Sequence, residues 1–348
     1  MWMQAATLLS SVVYGAVAEA PWITPLRPFG AIIEHATIDQ LVGSGAVLRH
    51  AWRDAGGLLV MRGLQSLSPE EFLAVSELFG SVEEELDSSK QAFAVAGLSS
   101  VMRIGNVRDT DTGKLVSMHS LSAPLPSDGS PQYRPEDRAP VWHTDSTYRQ
   151  HPPVGSLLFC KTAPPWGGAT CFVDATAAFE ALDEATRERL SELECVCSLA
   201  HHDAKVHLSS PDYPTLTAAQ RAANPPRRVP CVLTHPLTGR QSLYGVNSGT
   251  CAVVPIGQPL EEEELDRCEL DAHEMPSVQM LRSLLPFVTG RRFVVKWQWR
   301  EGDLVVWDNR CTMHCATGFD HEHHEREMWR TTLAYDFTDE KASTLRQS

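Results

Sequence analysis

The feature that most limits the fold of this chain is a set of short apolar runs of strand length. They fall at 57–61, 141–148, 155–162, 293–299, 303–308 and 331–337, with another through Cys171 and Phe172 after the turn at Gly167-Gly168. Runs of this kind bounded by Gly, Pro and Asp read as strands, and 231–244 reads as a hairpin turning at Pro236-Leu237-Thr238-Gly239. Helical signals lie between them. Ser68-Pro69-Glu70-Glu71 is a capping box with proline at the first helical position, followed by an apolar face of Phe72, Val75, Leu78 and Phe79. Asp174 caps a predicted helix on which Phe179, Leu182, Thr186, Leu190 and Leu193 share a face, and 277–288 is helical. The acidic run Glu261 to Glu264 reads as a solvated helix start, and 201–228 as a polar, proline-containing connection. Several strands with helices packed outside them predict a barrel-like β core.

A length of 348 residues suits two ordinary domains or one large β-rich domain. The net charge of −14 repels phosphate backbones and anionic lipid, so nucleic acid and membrane are not expected partners. No GxGxxG, GxxxxGK[ST] or GxSxG motif is present, which removes the usual sequence support for dinucleotide, P-loop and hydrolase-elbow chemistry. The nine cysteines include no CxxC pair, and they read as buried free thiols in a reducing, cytoplasmic compartment. Residues 1–20 form an N-terminal extension whose apolar part is too short to span a bilayer. Ala16-Val17-Ala18 there resembles a cleavage site, yet no Lys or Arg precedes the apolar run. Residues 105–140 are rich in Asp, Ser, Pro and Gly without periodicity, as in a functional lid.

That segment ends directly before His143-Thr144-Asp145. On a strand, residues two apart point to the same face, so an imidazole and a carboxylate would be presented side by side. Those are two of the three ligands of a 2-His-1-carboxylate facial triad, which leaves positions open on Fe(II). His201-His202-Asp203 has the same spacing and His323-His324-Glu325 nearly so, but both lie in polar connections rather than between apolar strands. A third ligand has to come from another strand of the core. The run Trp307 to Asp308, a turn, and then His314 supplies one, with Arg326 and Arg330 further on as cations suited to bidentate pairing with carboxylates. His321, His323 and His324 share their polar loop with glutamates and read as a solvated surface.

With Ile23-Thr24-Pro25-Leu26, Trp142-His143-Thr144-Asp145, Pro164-Pro165-Trp166-Gly167-Gly168-Ala169-Thr170 and Arg326-Glu327-Met328-Trp329-Arg330-Thr331-Thr332 in that order, the chain resembles a known family. It is similar to the Fe(II)/2-oxoglutarate-dependent dioxygenases of the taurine dioxygenase and 2,4-dichlorophenoxyacetate dioxygenase family. The resemblance implies an α+β fold with a double-stranded β-helix (jelly-roll) core, outer helices and a long lid insertion at about 105–140. The domain would run over 21–340, with 341–348 as a tail. It further implies that His143, Asp145 and His314 bind Fe(II), and that Thr170 and Arg326 hold the distal carboxylate of 2-oxoglutarate. Arg330 would then stand near the chelating carboxylate or the acidic group of the substrate.

The implied activity is hydroxylation of a C–H bond, with O2 and 2-oxoglutarate as cosubstrates and release of succinate and CO2. The substrate would be a small, carboxylated or sulfonated molecule, with a homo-oligomer left open. Trp329, where many relatives carry a basic residue, and Cys315, beside the distal histidine, depart from the pattern. The lid opening Ile104-Gly105-Asn106-Val107 looks closer to the aryloxyacetate branch. Two other readings compete: a non-catalytic metal- or ligand-binding member of the same fold, and a zinc hydrolase using the same three ligands. The second leaves Thr170 and Arg326 unexplained.

Overall fold

The computed structural model describes residues 22–83, 93–95, 97–114, 116, 141–209 and 215–334. The N-terminal extension, most of the expected lid and the tail lie outside the described residues. Eight strands form the larger sheet. They are β1 (Ile23–Pro25), β2 (Ala31–Ile33), β3 (Leu58–Met61), β4 (Ala94–Val95), β5 (Leu98–Gly105), β6 (Gly155–Thr162), β14 (Leu304–Asp308) and β16 (Glu327–Leu333), in the spatial order β1-β2-β3-β14-β6-β16-β5-β4. A smaller sheet places β7 (Thr170–Asp174) between β13 (Val294–Trp297) and β15 (Thr312–Ala316). The strands β8 (Leu193–Cys197), β9 (Arg227–Pro230) and β12 (Thr250–Pro255) make a second three-stranded sheet, and β10 (Val232–Thr234) pairs with β11 (Gln241–Leu243) in the expected hairpin.

The apolar runs are continuous rather than alternating because the central strands are covered on both faces. On β3, β6 and β14, Leu59, Met61, Leu157, Phe159, Leu304 and Val306 pack outward against the helices Gly45–Asp54 and Pro69–Glu77, through Leu48, Trp52, Phe72 and Val75. Their neighbours Leu58, Val60, Leu158, Cys160, Val305 and Trp307 face inward and meet Phe172, Val295 and Trp297 of the smaller sheet. The smaller sheet turns Cys171, Val173, Met313 and Cys315 outward beneath the helices Ala175–Glu180 and Gln279–Val288. Side chains alternate across a strand, so Thr170 and His314 point into the space between the two sheets, as do Arg330 and Met328 on β16. Cys315 therefore faces the outer helices and is turned away from His314.

Several expectations are corrected. Residues 141–148 are not a strand: His143 makes one antiparallel bridge to His314, and the chain then turns. The ladder stops because the Thr144 N–H goes to Val246 O at 2.8 Å and Asn247 Nδ2 donates to Thr144 O at 2.6 Å. The helix capped by Asp174 ends at Glu180, and Asp183 caps a second one, Glu184–Ser191, by accepting from Thr186 N. The polar connection 201–228 contains helices Leu199–Ser209 and Ala218–Ala223, with His201 fully buried. The last strand begins at Glu327, four residues before the expected 331. The nine cysteines are free and buried, and no helix among the described residues is long and apolar enough to cross a membrane.

Candidate active site

His143 and His314 lie opposite each other on the bridge between the turn and β15, exchanging backbone hydrogen bonds at 2.9 and 2.8 Å. Their rings are 4.1 Å apart between centroids. Asp145 completes the group from the turn. Its Oδ1 is 3.8 Å from His143 Nε2 and 3.7 Å from His314 Nε2, and the three potential ligand atoms all lie within 4.8 Å of one another. His143 Nδ1 is hydrogen-bonded to Val141 O at 3.1 Å, which leaves Nε2 facing Asp145 and His314. Phe172 and Trp307 pack against the His314 ring at 6.1 and 4.9 Å. The side chains thus converge as the sequence anticipates, although a bridge and a turn bring them together where a strand was expected.

The electrostatics suit a divalent metal. Burial pushes His314 down to about 3 and lowers His143 as well, so both imidazoles are neutral at ordinary pH. Burial alone would raise Asp145, but the Arg330 guanidinium and the two imidazoles outweigh it and hold the carboxyl well below the usual range. Two neutral nitrogen donors and one carboxylate oxygen gathered in this way make a 2-His-1-carboxylate donor set suited to Fe(II).

Thr170 lies two residues along β7 from Phe172, the register partner of His314, and Arg326 is tied to the same strand through Gly168. Thr170, at the start of β7, is buried, and its hydroxyl oxygen accepts from Trp299 Nε1 at 3.0 Å. Arg326 is buried too, and its Nε donates to Gly168 O at 3.2 Å, two residues before Thr170. Gly168 has φ +61°, and a Cβ there would come within 2.9 Å of Pro164 and 3.3 Å of the Arg326 stem, so glycine leaves the room through which the guanidinium passes. Gly105 does the same for the Arg326 backbone: a Cβ on it would stand 1.8 Å from Arg326 O. The neighbouring Asn106 then accepts from Arg326 N at 2.8 Å and donates to the carbonyls of His321 and His324. Burial pushes Arg326 down to about 10, which leaves it charged, and it has no acidic partner among the described residues.

Arg330 is not free. Its Nη2 is 2.7 Å from Asp145 Oδ2 and donates to Ser156 Oγ at 3.0 Å, and the guanidinium lies 5.8 Å from the Trp307 ring centre. Asp145 is thus already an anionic partner of Arg330 within the protein. Trp329, on the opposite face of β16, packs against Phe159 and donates to Glu327, away from the site.

Sequence reasoning missed Ser156, Trp299 and the clamp made by Asn106. The only advance signal was the alternation Trp297-Gln298-Trp299, which continues an inward face past the end of β13. A second donor cluster, His235, Asp308 and Cys311, is already satisfied internally. Asp308 takes a bidentate bond from Arg310 and one from His235 Nε2 at 3.0 Å, which braces the turn leading into β15. His321 and His324 surround the Asn106 clamp, and exposed His323 pairs with Asp320 at 2.9 Å.

Comparison with known proteins places this geometry in context. Residues 22–332 match the family described as "Taurine catabolism dioxygenase TauD, TfdA family". The alpha-ketoglutarate-dependent 2,4-dichlorophenoxyacetate dioxygenase of Cupriavidus pinatubonensis is 31% identical over 292 residues, covering 81% of this chain and 86% of that protein. The (S)-phenoxypropionate/alpha-ketoglutarate-dioxygenase of Delftia acidovorans is 30% identical over 278 residues, covering 80% and 82%. Among solved structures, AAD-2 in complex with Mn(II) and N-oxalylglycine superposes with a TM-score of 0.62 at 24% identity, covering 90% of this chain and 97% of that one.

Proposed function

The chain belongs to the taurine catabolism dioxygenase TauD, TfdA family, and from that premise we propose that it is an Fe(II)- and 2-oxoglutarate-dependent dioxygenase hydroxylating a C–H bond of a small anionic substrate. One oxygen atom of O2 would enter the substrate as a hydroxyl group. The other would enter 2-oxoglutarate as it loses CO2 and becomes succinate. Iron, when bound, supplies the oxygen chemistry. His143 Nε2, His314 Nε2 and Asp145 Oδ1 are the atoms that would hold it.

The observation that carries this reading is the buried guanidinium of Arg326, hydrogen-bonded to Gly168 two residues before Thr170, with Thr170 in turn two residues along β7 from Phe172, the register partner of His314. A buried cation without an acidic partner is costly, and a ligand that brings a carboxylate offsets that cost. A five-carbon diacid can present one carboxylate to Arg326 and Thr170 while its other end reaches the metal. A zinc hydrolase has no use for that pair. We read the two facing sheets as the double-stranded β-helix of this family.

Relatives named for aryloxy acids and for sulfate esters support an acidic substrate, and the Arg330 side chain, paired with Asp145 and 17% exposed, would be the cation to meet it. The test is succinate formation from 2-oxoglutarate with Fe(II) and a panel of aryloxy acids, sulfate esters and sulfonates. Wild-type protein is expected to convert at least one class, and His143→Ala, Asp145→Ala and His314→Ala none. Equal activity of His143→Ala would refute the assignment of the ligands.

A further inference from the structure

We propose that Ser156 is a positioning residue of this site, whose hydroxyl fixes the Asp145 carboxylate so that a single oxygen faces the metal position. The proposal deepens the functional reading above and rests on it. Rotation of an aspartate carboxylate about χ2 is soft, so an unrestrained Asp145 could present either oxygen or both to a metal. Here the two oxygens differ. Oδ1 faces both imidazole Nε2 atoms at 3.7 and 3.8 Å, whereas Oδ2 accepts from Ser156 Oγ at 2.9 Å and lies 2.7 Å from Arg330 Nη2.

The serine is also built into the arrangement by its strand. β6 alternates, and Ser156 shares the inward face with Leu158 and Cys160, between Trp307 on β14 and Thr332 on β16. It is fully buried, and a buried hydroxyl is unfavourable unless both its hydrogen and its oxygen are used. Both are used: the hydrogen goes to Asp145 Oδ2 and the oxygen accepts from Arg330 Nη2 at 3.0 Å. The three groups close a ring.

Arg330 Nε has no hydrogen-bond partner among the described residues, so the guanidinium is held by one edge only. When a substrate acid draws Arg330 toward itself, Asp145 Oδ2 keeps its bond to Ser156. The serine thereby makes the carboxylate's orientation independent of whether substrate is present.

Anaerobic titration of the metal-free protein with Co(II), without 2-oxoglutarate or substrate, tests this by affinity and by the visible ligand-field spectrum. Ser156→Ala is expected to weaken Co(II) binding by roughly 10- to 100-fold and to change the band pattern, as losses of groups that orient metal ligands do. Should Ser156→Ala not fold, Ser156→Cys, which keeps a small side chain but donates weakly, carries the same expectation. His143→Ala separates the two levels of the argument. If it binds Co(II) as the wild type does, the ligand assignment fails and the proposal falls with it. If it abolishes binding while Ser156→Ala matches wild type in affinity and spectrum, the ligands stand and the role of Ser156 is overturned.

Discussion

The indole N–H of Trp299 donates to the Thr170 hydroxyl oxygen at 3.0 Å, from just beyond β13 to the first residue of the adjacent β7. A hydroxyl that accepts from a fixed donor on one side keeps its own hydrogen for another direction. In this site that direction is available to the carboxylate which Arg326 would bind.

Trp299→Phe keeps the packing of a buried aromatic and removes only that donor. A neutral hydrogen bond contributes about 0.5–1.5 kcal/mol, so 2-oxoglutarate affinity is expected to fall by roughly 2- to 12-fold while metal affinity is unchanged. Anaerobic binding titrations of the two ligands check this. Equal loss for both would show that the substitution disturbs the sheet.

Arg326→Met should separate stability from binding. The buried guanidinium has one neutral hydrogen bond and no acidic partner among the described residues, so an apolar side chain of similar length should leave the ligand-free protein as stable as the wild type or more so. Binding is expected to suffer by about 2–5 kcal/mol, the cost of truncating one partner of a buried charge pair. Thermal unfolding with and without excess 2-oxoglutarate reads both effects: the wild type gains stability with the ligand by mass action and the variant does not. A ligand-dependent shift retained in the variant would mean that the distal carboxylate is held elsewhere.

Which side chains meet was legible in the sequence, but less so what brings them together. His143, Asp145 and His314 come together because one backbone bridge sets His143 opposite His314 on β15 and the turn that follows brings in Asp145; of the three strands in that layer, apolar runs announce β7 and β13 but not β15. The strand expected at 141–148 did not form, since whether a backbone N–H continues a ladder or turns to Val246 depends on a partner a hundred residues away. The same holds for Ser156, an unremarkable serine in an apolar strand until Asp145 and Arg330 arrive from other elements. His201 looked like a polar linker residue because helix Leu199–Ser209 has no clear apolar stripe, and only packing buries it.

His201 should give the protein an acid-labile component distinct from the metal ligands. Its Nδ1 is hydrogen-bonded to Cys268 O at 2.7 Å, its Nε2 has no partner among the described residues, and burial pushes its pKa down to about 3. Below about pH 6.5 the unfolded chain therefore takes up a proton that the folded chain refuses, and stability falls as pH drops toward 3. Asp174 acts with the opposite sign: burial pushes it up to about 6, so its contribution is greatest at low pH and is lost as pH rises from about 4 through 6. His201→Asn removes the histidine while keeping a donor for Cys268 O. Denaturant unfolding with a chelator present, at pH 7 and pH 5, should show a stability loss on acidification that is smaller in the variant by up to about 1.4 kcal/mol per pH unit. Identical pH slopes in the two proteins would show that His201 takes up its proton as readily in the folded chain as in the unfolded one.

The ion pair between Arg330 and Asp145 sharpens what can be expected of substrate choice. Arg330 already faces an anion inside the site, at 2.7 Å, and a substrate acid has to share the guanidinium with it or displace it. Sharing is feasible because Asp145 Oδ2 is also satisfied by Ser156. Arg330→Gln keeps an amide that can donate to Oδ2 but removes the positive charge. We therefore predict that it costs little in metal affinity and much in discrimination. Wild type should hydroxylate an acid at least about tenfold more efficiently than its neutral amide, since hydrogen bonds to charged groups contribute about 1.5–3 kcal/mol. The variant should bring the two within a few-fold by losing rate on the acid alone. Turnover of acid–amide pairs, measured beside 2-oxoglutarate decarboxylation without substrate, decides the matter. If the neutral amide is hydroxylated as well as the acid by the wild type, Arg330 serves Asp145 only, and the substrate's acidic group, if it has one, is recognised by other residues.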